Sequence, residues 1–317
     1  MNLLLTGGLG YIGGHSAISL SNSGHKVFLY DSLINSKIDS KDLISKILGK
    51  RIYFEAGDVL ETNKLSNIIK EKKIDAVIHF AALKSPSESI QYPLKYYQNN
   101  ISGTISIIEA MEKSGLNKLI FSSSASVYGT PKYNPVDEKH AVFPENPYAQ
   151  SKYISELILR DLVKYKDWEV VILRYFNPIG CHESCNFGEF SSNKPNNLLP
   201  FLLRVGSGRL DSLEIFGNDF DTIDGTGVRD YIDIMDVADG HVKSLEYIFK
   251  ENEYDKTKAN VFNLGSGIGI SVLEMINTFQ EIIGRKINYK FVNRRPGDVG
   301  TCIANPSLAK EKLSWIS

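Results

Sequence analysis

Short apolar runs alternate with longer amphipathic segments through the first 175 residues of the chain. Six runs have the length and residue types of strands, at 3–5, 27–30, 53–56, 76–80, 118–121 and 170–173. Between them, apolar residues recur every three or four positions, which predicts helices at 13–23, 62–70, 96–113 and 148–164. This order predicts an α/β fold with a doubly wound parallel sheet.

The alternation ends after Arg174. The segment RYFNPIGCHESCNFGEFSSNKPNN is rich in Gly, Pro and Asn, which indicates neither a core strand nor a helix. We interpret it as the start of a smaller substrate lobe. A predicted helix at 236–249 and a predicted strand at 261–264 return to the sheet, so the lobes interleave. The prediction assigns 1–176 and about 232–262 to a dinucleotide-binding domain, and 177–231 and 263–317 to the substrate lobe.

Composition narrows the possible partners and the location. Lys plus Arg total 36 and Asp plus Glu 37, so the net charge of −1 provides no overall positive charge with which to hold nucleic acid. No apolar run approaches the roughly 18 residues of a membrane span. The opening MNLLLTGG lacks the pattern of a leader peptide, so we expect a cytoplasmic protein that binds neither nucleic acid nor membranes.

The cysteines raise the question of a metal site. Cys181 and Cys185 flank His182 and superficially suggest a metal cluster. A structural zinc site needs a second pair of ligands at characteristic spacing, and the remaining histidines do not supply one near Cys302. We therefore predict no metal.

The first predicted strand is followed by a glycine-rich turn. In LLLTGGLGYIGGH, Gly10 and Gly13 combine with either Gly7 or Gly8 in the spacing of a dinucleotide-binding loop. Glycine there lets backbone N–H groups approach a pyrophosphate at a helix N-terminus. Asp31 ends the next predicted strand, where a carboxylate accepts from a ribose hydroxyl and repels a 2′-phosphate. The pattern predicts a Rossmann sheet that binds NAD rather than NADP.

Two further polar residues lie at or near the ends of predicted strands. Asp58 follows the third strand and His79 lies in the fourth, at the edge where doubly wound sheets bind ligands. A helix-capping role is an equally good interpretation of Asp58, and Asp31 could simply end its strand. We interpret His79 as a packed strand residue.

Tyr148 and Lys152 are four residues apart on one face of a predicted helix. A tyrosine of reference pKa about 10 needs about 4 kcal/mol of differential stabilisation to act as a base near neutral pH. A lysine ammonium about 4 Å away supplies that order of energy, and an oxidised nicotinamide adds more. Such a pair also arises by chance as a surface lysine beside a half-buried tyrosine. The upstream glycine loop favours a catalytic pair whose tyrosine has a lowered pKa.

A run of serines, SSSASVYG, follows the predicted strand at 118–121. The strand would deliver one hydroxyl to the same cleft as the tyrosine. We predict Ser124 as the third catalytic residue, which would also contact the substrate.

These segments resemble those of a known family. TGGLGYIGGH, SSSASVYG, YAQSK and LRYFNP resemble the extended short-chain dehydrogenase/reductases. VIHFAALK, QNNISGT, LRYFNPIG, PNNLLPF, IFGNDF, DGTGVRDYIDIMDVADGH, NLGSG and RRPGD, which span nearly the whole chain, are similar to those of UDP-glucose 4-epimerases within that family.

The resemblance implies an activity and an assembly. The enzyme would interconvert UDP-hexoses at C4, with Tyr148 removing the 4-hydroxyl proton while hydride passes to tightly held NAD. The 4-keto intermediate would turn in the pocket and accept the hydride from transient NADH on its other face. A homodimer formed through a helix bundle would be expected.

The resemblance also implies site residues. The cofactor would contact Gly7, Gly10, Tyr11, Ile12, Gly13, Asp31, Asn35, Asp58, Val59, Phe80, Ala81, Lys84, Asn99, Tyr148, Lys152 and Phe176. The UDP-sugar would contact Ser124, Tyr148, Asn177, Asn197, Leu198, Phe216, Arg229, Tyr231, Arg295, Asp298 and Cys302. In this scheme Phe216 lies near uracil, Arg229 and Arg295 hold the phosphates, and Asp298 meets the uridine ribose. A local ion pair with Asp230 is the alternative for Arg229.

One departure bears on the sugar. Cys302 stands where epimerases restricted to plain glucose and galactose tend to carry a bulky tyrosine. The smaller side chain suggests room for a 2-acetamido group, and hence activity on UDP-GlcNAc and UDP-GalNAc. The alternative is that Cys302 is a small buried hydrophobe and other residues limit the pocket.

Two other functions compete. A nucleotide-sugar 4,6-dehydratase begins with the same oxidation at C4, but such enzymes generally carry an Asp-Glu pair where this chain has Ala125 and Ser126. A non-catalytic NAD-binding regulator would keep the glycine loop but lose the base, whereas Tyr148 and Lys152 are both present. The epimerase is therefore the favoured hypothesis.

Overall fold

The computed structural model describes residues 1–189, 197–250, 253–295 and 297–317. In this part of the chain the strands are β1 (Asn2–Thr6), β2 (Lys26–Asp31), β3 (Tyr53–Ala56), β4 (Ala76–His79), β5 (Lys118–Ser124), β6 (Glu169–Tyr175), β7 (Asn177–Ile179), β8 (Leu213–Phe216), β9 (Val228–Asp233), β10 (Asn260–Leu264), β11 (Gly269–Ser271), β12 (Tyr289–Val292) and β13 (Thr301–Cys302). The α-helices are α1 (Tyr11–Asn22), α2 (Asp39–Leu48), α3 (Thr62–Glu71), α4 (Pro86–Gln91), α5 (Pro93–Tyr97), α6 (Gly103–Glu112), α7 (Pro147–Tyr165), α8 (Leu198–Gly206), α9 (Ile234–Ile248), α10 (Val272–Ile283) and α11 (Ser307–Leu313).

Seven parallel strands form the main sheet in the order β10-β6-β5-β4-β1-β2-β3. Strand order reverses beside β1, as in doubly wound dinucleotide-binding sheets. One core packs α1, α9 and α11 against the sheet, and a second core packs α3, α6 and α7. Because both faces are covered, the central strands are apolar on both sides, which is why they read as continuous hydrophobic runs. The predicted fold class is confirmed.

Local sequence sets the start of the helix that carries the candidate base. Asn146 has an extended backbone, and its side chain accepts from the backbone N–H of Ala149 at 2.9 Å. Pro147 follows at the first helical position, where its missing N–H costs no hydrogen bond. Tyr148 therefore lies in the first turn of α7, beside the end of the sheet.

The smaller lobe is built around β9. Strands β7 and β13 pair parallel to β9, and β11 pairs antiparallel to it. Strands β8 and β12 form a separate parallel pair that packs with α8 and α10. Strand β7 lies in the segment predicted to contain no core strand or helix. A three-residue strand is too short to show a period of two.

The carboxyl-terminal elements depart from the predicted division of the chain. Residues 263–317 were assigned to the substrate lobe, but α11 packs with α9 and β10 on the main sheet. Trp315 is buried there, and its indole N–H donates to the carbonyl of Asp236 at 2.8 Å. Over the residues described, no helix is long and apolar enough to cross a bilayer.

Candidate active site

A cavity of about 740 Å³ opens at the carboxyl ends of the main strands and extends to the smaller lobe. It collects residues that are distant in sequence, from the glycine loop after β1 to the arginines near β9 and β12. The predicted residues that line it are Gly7, Gly10, Tyr11, Ile12, Gly13, Asp31, Asn35, Asp58, Val59, Phe80, Ala81, Lys84, Asn99, Ser124, Tyr148, Lys152, Phe176, Asn177, Asn197, Leu198, Phe216, Arg229, Tyr231, Arg295 and Asp298. Of the predicted site residues, Cys302 alone is outside this lining.

The glycine loop forms a tight cradle between β1 and α1. Gly7 has a φ of +69°, and a Cβ there would lie 2.6 Å from the backbone nitrogen of Ala81. A Cβ on Gly13 would lie 2.3 Å from the carbonyl oxygen of Gly7. Gly8 does not line the cavity, so the pattern that forms the cradle is Gly7, Gly10 and Gly13.

The start of α1 suits an anionic ligand. Gly10 precedes the helix without a side-chain cap, and the first turn contains no acidic residue. Its first N–H groups are therefore available, and the helix dipole favours a negative charge there. These features fit the pyrophosphate of a dinucleotide.

Asp31 lies at the end of β2 with its carboxylate facing the cavity wall. It accepts from the backbone N–H of Leu9 at 3.1 Å, the N–H of Leu33 at 2.9 Å and the hydroxyl of Ser36 at 2.7 Å. A carboxylate has about four acceptor positions, so one remains for a ribose hydroxyl. Asp58 also lines the cavity, and its carboxylate accepts from the N–H of Leu60 at 3.0 Å. It therefore combines a local structural bond with a place in the wall.

Three residues meet at the base of the cavity. Ser124 lies within β5 rather than after it, and its hydroxyl donates to that of Ser126 at 3.1 Å. Ser124 and Tyr148 both line the cavity, and Ser124 acts to lower the pKa of the tyrosine. The Lys152 ammonium donates to the carbonyl of Ser122 at 2.7 Å and lies 5.0 Å from the centre of the Phe121 ring. The structure brings the predicted catalytic residues together as a serine, tyrosine and lysine set.

The ionisation of this set differs from the expectation. Burial raises the pKa of Tyr148, and Ser124 opposes the rise. Burial lowers the pKa of Lys152 to about 7, against the opposing effect of Glu156. The prediction of a lowered tyrosine pKa depended partly on the positive charge of a bound, oxidised nicotinamide. The protein groups alone give the opposite direction because both side chains are almost fully removed from water.

Two arginines line the opposite side of the cavity. Arg295 pairs with Asp298 at 2.9 Å, and its guanidinium carbon lies 4.6 Å from the centre of the Phe216 ring. Arg229 lies 4.0 Å from the same aspartate. The suggested ion pair between Arg229 and Asp230 does not form among the described contacts. The Asp230 carboxylate instead accepts from Ser266, Gly267 and Ala304. Arg295 donates to Asp298 through Nε and Nη2, and Arg229 donates to the carbonyls of Val228 and Gly300 through Nη1. Among the described contacts, Nη1 of Arg295 and Nε of Arg229 remain to donate to a diphosphate.

A carboxylate joins the two halves of the cavity. Glu189 accepts from Lys84 at 2.9 Å and from the side-chain amide of Asn197 at 2.8 Å. Lys84 was predicted on the cofactor side and Asn197 on the substrate side. Sequence reasoning missed Glu189 because it lies in the polar segment after Arg174, where no periodicity marks it.

Cys302 does not line the cavity, contrary to the prediction that it contacts the substrate directly. It is buried in a cluster that includes Phe176, Ala125 and Ala304, and burial raises the pKa of its thiol to about 11. It pairs in register with Arg229 across β13 and β9. The cysteine therefore lies beside the wall that Phe176 and Arg229 contribute to the cavity, without lining the cavity itself.

Several lining residues were not predicted. Ser122 and Ser126 lie in the serine run that drew attention only to Ser124, and Tyr175 ends β6. Leu213, Glu214 and Ile215 come from β8, a four-residue strand without any chemical signal in the sequence. His79 packs as predicted, between the hydroxyls of Thr6 and Thr104. In the described residues no group of three His, Cys, Asp or Glu side chains could hold a metal ion.

A doubly wound sheet, a glycine cradle and a serine, tyrosine and lysine set in one cavity define the chain as an extended short-chain dehydrogenase/reductase. The family model described as GDP-mannose 4,6 dehydratase matches residues 4–317. A UDP-glucose 4-epimerase from Bacillus subtilis is 46% identical over 316 residues, which cover 99% of this chain and 92% of the relative.

Two solved structures are similar along the whole chain. A UDP-glucose 4-epimerase from Stenotrophomonas maltophila, with bound NAD and formylated UDP-arabinopyranose, has a TM-score of 0.95 and 41% identity. The enzyme from Bifidobacterium longum, in complex with NAD⁺ and UDP, has a TM-score of 0.94 and 42% identity. Each alignment covers 100% of this chain and 93% of the other. The chain belongs to the UDP-glucose 4-epimerase family.

Proposed function

We propose that this chain catalyses the reversible C4 epimerisation of UDP-hexoses, with UDP-glucose and UDP-galactose as the principal pair and NAD as cofactor. One observation carries the proposal. The glycine cradle, the Ser124, Tyr148 and Lys152 set, and the Arg229 and Arg295 pair line a single cavity. The first group suits a dinucleotide, the second suits proton transfer, and the third suits a nucleotide diphosphate.

The chain itself supplies the proton chemistry. When bound, NAD would accept a hydride from C4 of the sugar and return it. Tyr148 would take the proton of the sugar 4-hydroxyl through its phenolic oxygen. The Ser124 hydroxyl would hydrogen bond to the phenolic oxygen and to the 4-hydroxyl oxygen. The Lys152 ammonium would stabilise the tyrosinate. Because the tyrosine returns the proton when the keto group is reduced, no external acid or base is consumed.

The smaller lobe would hold the nucleotide while the sugar turns. Arg229 and Arg295 would bind the diphosphate, Phe216 would lie near uracil, and Asp298 would accept from the ribose. Anchoring the nucleotide lets the 4-keto sugar reorient without leaving the cavity. Reduction from the opposite face then inverts C4.

Elimination of water is not favoured, although the matching family model carries the name of a dehydratase. A 4,6-dehydratase needs an acid and a base to remove water across C5 and C6. In this chain Ala125 and Ser126 follow Ser124, and Ala125 is buried. Neither side chain can serve as a carboxylic acid.

The proposal extends to 2-acetamido sugars. Cys302 is smaller than tyrosine and lies beside Phe176 and Arg229. It would therefore act through the packing of this wall. A small residue beside the wall leaves volume into which lining side chains can move when UDP-GlcNAc or UDP-GalNAc binds.

We also propose that the protein is a cytoplasmic homodimer. Within each chain the two lobes would divide as predicted, except that α11 belongs with the main sheet. Free cysteines at Cys181, Cys185 and Cys302 suit a reducing compartment. Ile90, Tyr92 and Leu94 are 44%, 57% and 79% exposed along α4 and α5, which suits a helical interface. Light scattering of the purified chain would measure its mass in solution.

The decisive experiment for the reaction is an assay of UDP-galactose without added cofactor. The expected product is UDP-glucose, formed by enzyme whose NAD is retained through purification. A 4-keto-6-deoxy product would support the dehydratase instead. Absence of any turnover, with NAD bound and with NAD added, would reject the proposal.

A further inference from the structure

The face of α7 that carries Tyr148 and Lys152 continues to a buried carboxylate. Glu156 is four residues beyond Lys152, so the three side chains lie in a row along the helix. Glu156 is completely buried, as is Arg174 on β6. The cavity lining does not include either residue.

Glu156 and Arg174 form a tight ion pair. The Arg174 Nε and Nη2 atoms donate to the two carboxylate oxygens of Glu156 at 3.0 and 2.6 Å. The guanidinium carbon also lies 4.8 Å from the centre of the Tyr128 ring, which favours a cation. Breaking such a pair leaves an unpaired buried charge, so it holds its two elements in one arrangement.

The pair also fixes the strand that carries Ser124. The Ser123 hydroxyl donates to Glu156 at 2.6 Å, and the adjacent Ser122 carbonyl accepts from Lys152 at 2.7 Å. Two side chains of α7 therefore hold two consecutive residues of β5, immediately before the serine that lines the cavity with Tyr148.

In the part of the chain that the structure describes, few titratable groups face Lys152. Glu156 and Tyr148 face it from α7, and His79 faces it from β4. The contacts from β5 are the uncharged Phe121 ring and the Ser122 carbonyl. Burial lowers the pKa of His79 to about 3, so this histidine is neutral near pH 7. Among the described residues, Glu156 is thus the anion that acts on Lys152, and it also lies 3.6 Å from the partly exposed Arg160.

We propose that Glu156, held by Arg174 and Ser123, is a positioning residue for the reaction: it keeps Lys152 in its ammonium form and aligns the serine strand under Tyr148. This proposal rests on the proposed function, since it assigns the lysine a role in proton transfer. Glu156 does not touch the substrate cavity and acts only through Lys152 and β5.

The test measures Lys152 directly. The purified chain, with its bound cofactor, is labelled with [ε-¹³C]lysine, and the Lys152 signal is identified by its loss in Lys152→Met. Glu156→Gln should lower the midpoint of the Lys152 titration by on the order of one pH unit. The alkaline fall in kcat for UDP-galactose should move with it. Glu156→Asp retains the charge and should restore the wild-type midpoint.

Two further variants complete the test. Glu156→Gln with Arg174→Met leaves no unpaired buried charge and keeps the test open if the single variant does not fold. Its midpoint should also fall, by a smaller amount. Glu169→Gln is the matched control, because Glu169 pairs with Lys118 at the far ends of β6 and β5. It should leave the midpoint unchanged.

An unchanged Lys152 midpoint in the double variant would overturn the proposal, as would an equal shift in Glu169→Gln. The lysine titration is read without turnover. A wild-type chain that titrates as expected but does not convert UDP-galactose would therefore refute the proposed function alone.

Discussion

The Lys152 ammonium donates to the backbone carbonyl of Ser122 over 2.7 Å, which joins helix α7 to strand β5 at the base of the cavity. The lysine is therefore fixed by the strand that presents Ser124, and its position does not depend on the tyrosine. Its charge can stabilise a tyrosinate at the adjacent turn of the helix without a direct hydrogen bond.

Replacement of Tyr148 by Phe removes the phenolic oxygen and retains the ring. We expect kcat for UDP-galactose to fall by about 10²–10⁴-fold, the range for loss of general acid–base catalysis. KM should change by less than about threefold, because the arginines and Phe216 still bind the nucleotide. Steady-state kinetics of the two enzymes measure both values. Retention of wild-type kcat in Tyr148→Phe would contradict the assigned mechanism.

Burial of Lys152 predicts a pH dependence of stability. Its pKa is lowered to about 7 in the folded chain, from an ordinary value of 10.5. Between these values the unfolded chain binds more protons, so this group makes the folded state more stable as the pH rises. Below about pH 7 the effect is constant.

The comparison that isolates this effect is with Lys152→Met. From pH 7 to pH 9 the free energy of unfolding of the wild type should rise relative to the variant, by on the order of 2 kcal/mol. Urea unfolding at both pH values measures it. A constant difference between the proteins would show that the folded lysine titrates normally.

The glycine cradle predicts a selective loss of cofactor. A Cβ at residue 13 would lie 2.3 Å from the carbonyl oxygen of Gly7, which is backbone and cannot move cheaply. Gly13→Ala should therefore displace the loop and weaken NAD binding by about tenfold or more. Ser19→Ala, a change within the same helix and away from the cradle, is the control and should retain NAD. The NAD released on denaturation, measured per mole of chain, distinguishes the two.

Substitution of two consecutive arginines distinguishes a contact with the substrate from a general effect of surface charge. Arg295 lines the cavity beside Asp298, whereas Arg294 pairs with Asp219 and lies 4.0 Å from the centre of the Phe220 ring. Loss of a charged hydrogen bond costs about 1.5–3 kcal/mol, so Arg295→Met should raise the KM for UDP-galactose by about 10–100-fold. Arg294→Met should leave it within about twofold. Equal effects of the two substitutions would argue against a diphosphate contact by Arg295.

The main sheet could be predicted because its central strands are buried on both faces and its helices on one. Burial on both faces produces continuous apolar runs in the strands, and burial on one face produces apolar residues every three or four positions in the helices. Several strands of the smaller lobe are too short to show either pattern. Strands β7 and β13 have three and two residues, and they are held by pairing with β9, a contact that local sequence does not encode.

Some site residues could also be predicted from local sequence, and others could not. Tyr148 and Lys152 were predictable because their spacing is a property of one helix. Glu156 and Arg174 could not be found, since the pair forms only when α7 packs against β6. Cys302 was misplaced for a related reason. Its position four residues after Asp298, which lines the cavity, does not reveal whether the side chain of Cys302 faces the cavity or the neighbouring apolar cluster.

That position of Cys302 determines how it can influence the choice of sugar. Cys302→Tyr adds a ring to a buried cluster that contains Phe176 and Ala304, so the wall must move toward the cavity. We expect turnover of UDP-GalNAc to fall much more than turnover of UDP-galactose, which lacks the 2-acetamido group. Cys302→Ser is nearly equal in volume and should change the ratio of the two rates little. The ratio of kcat/KM for the two substrates measures the effect directly, because a general loss of stability or cofactor lowers both values together. An unchanged ratio in Cys302→Tyr would show that other residues of the wall limit the sugar.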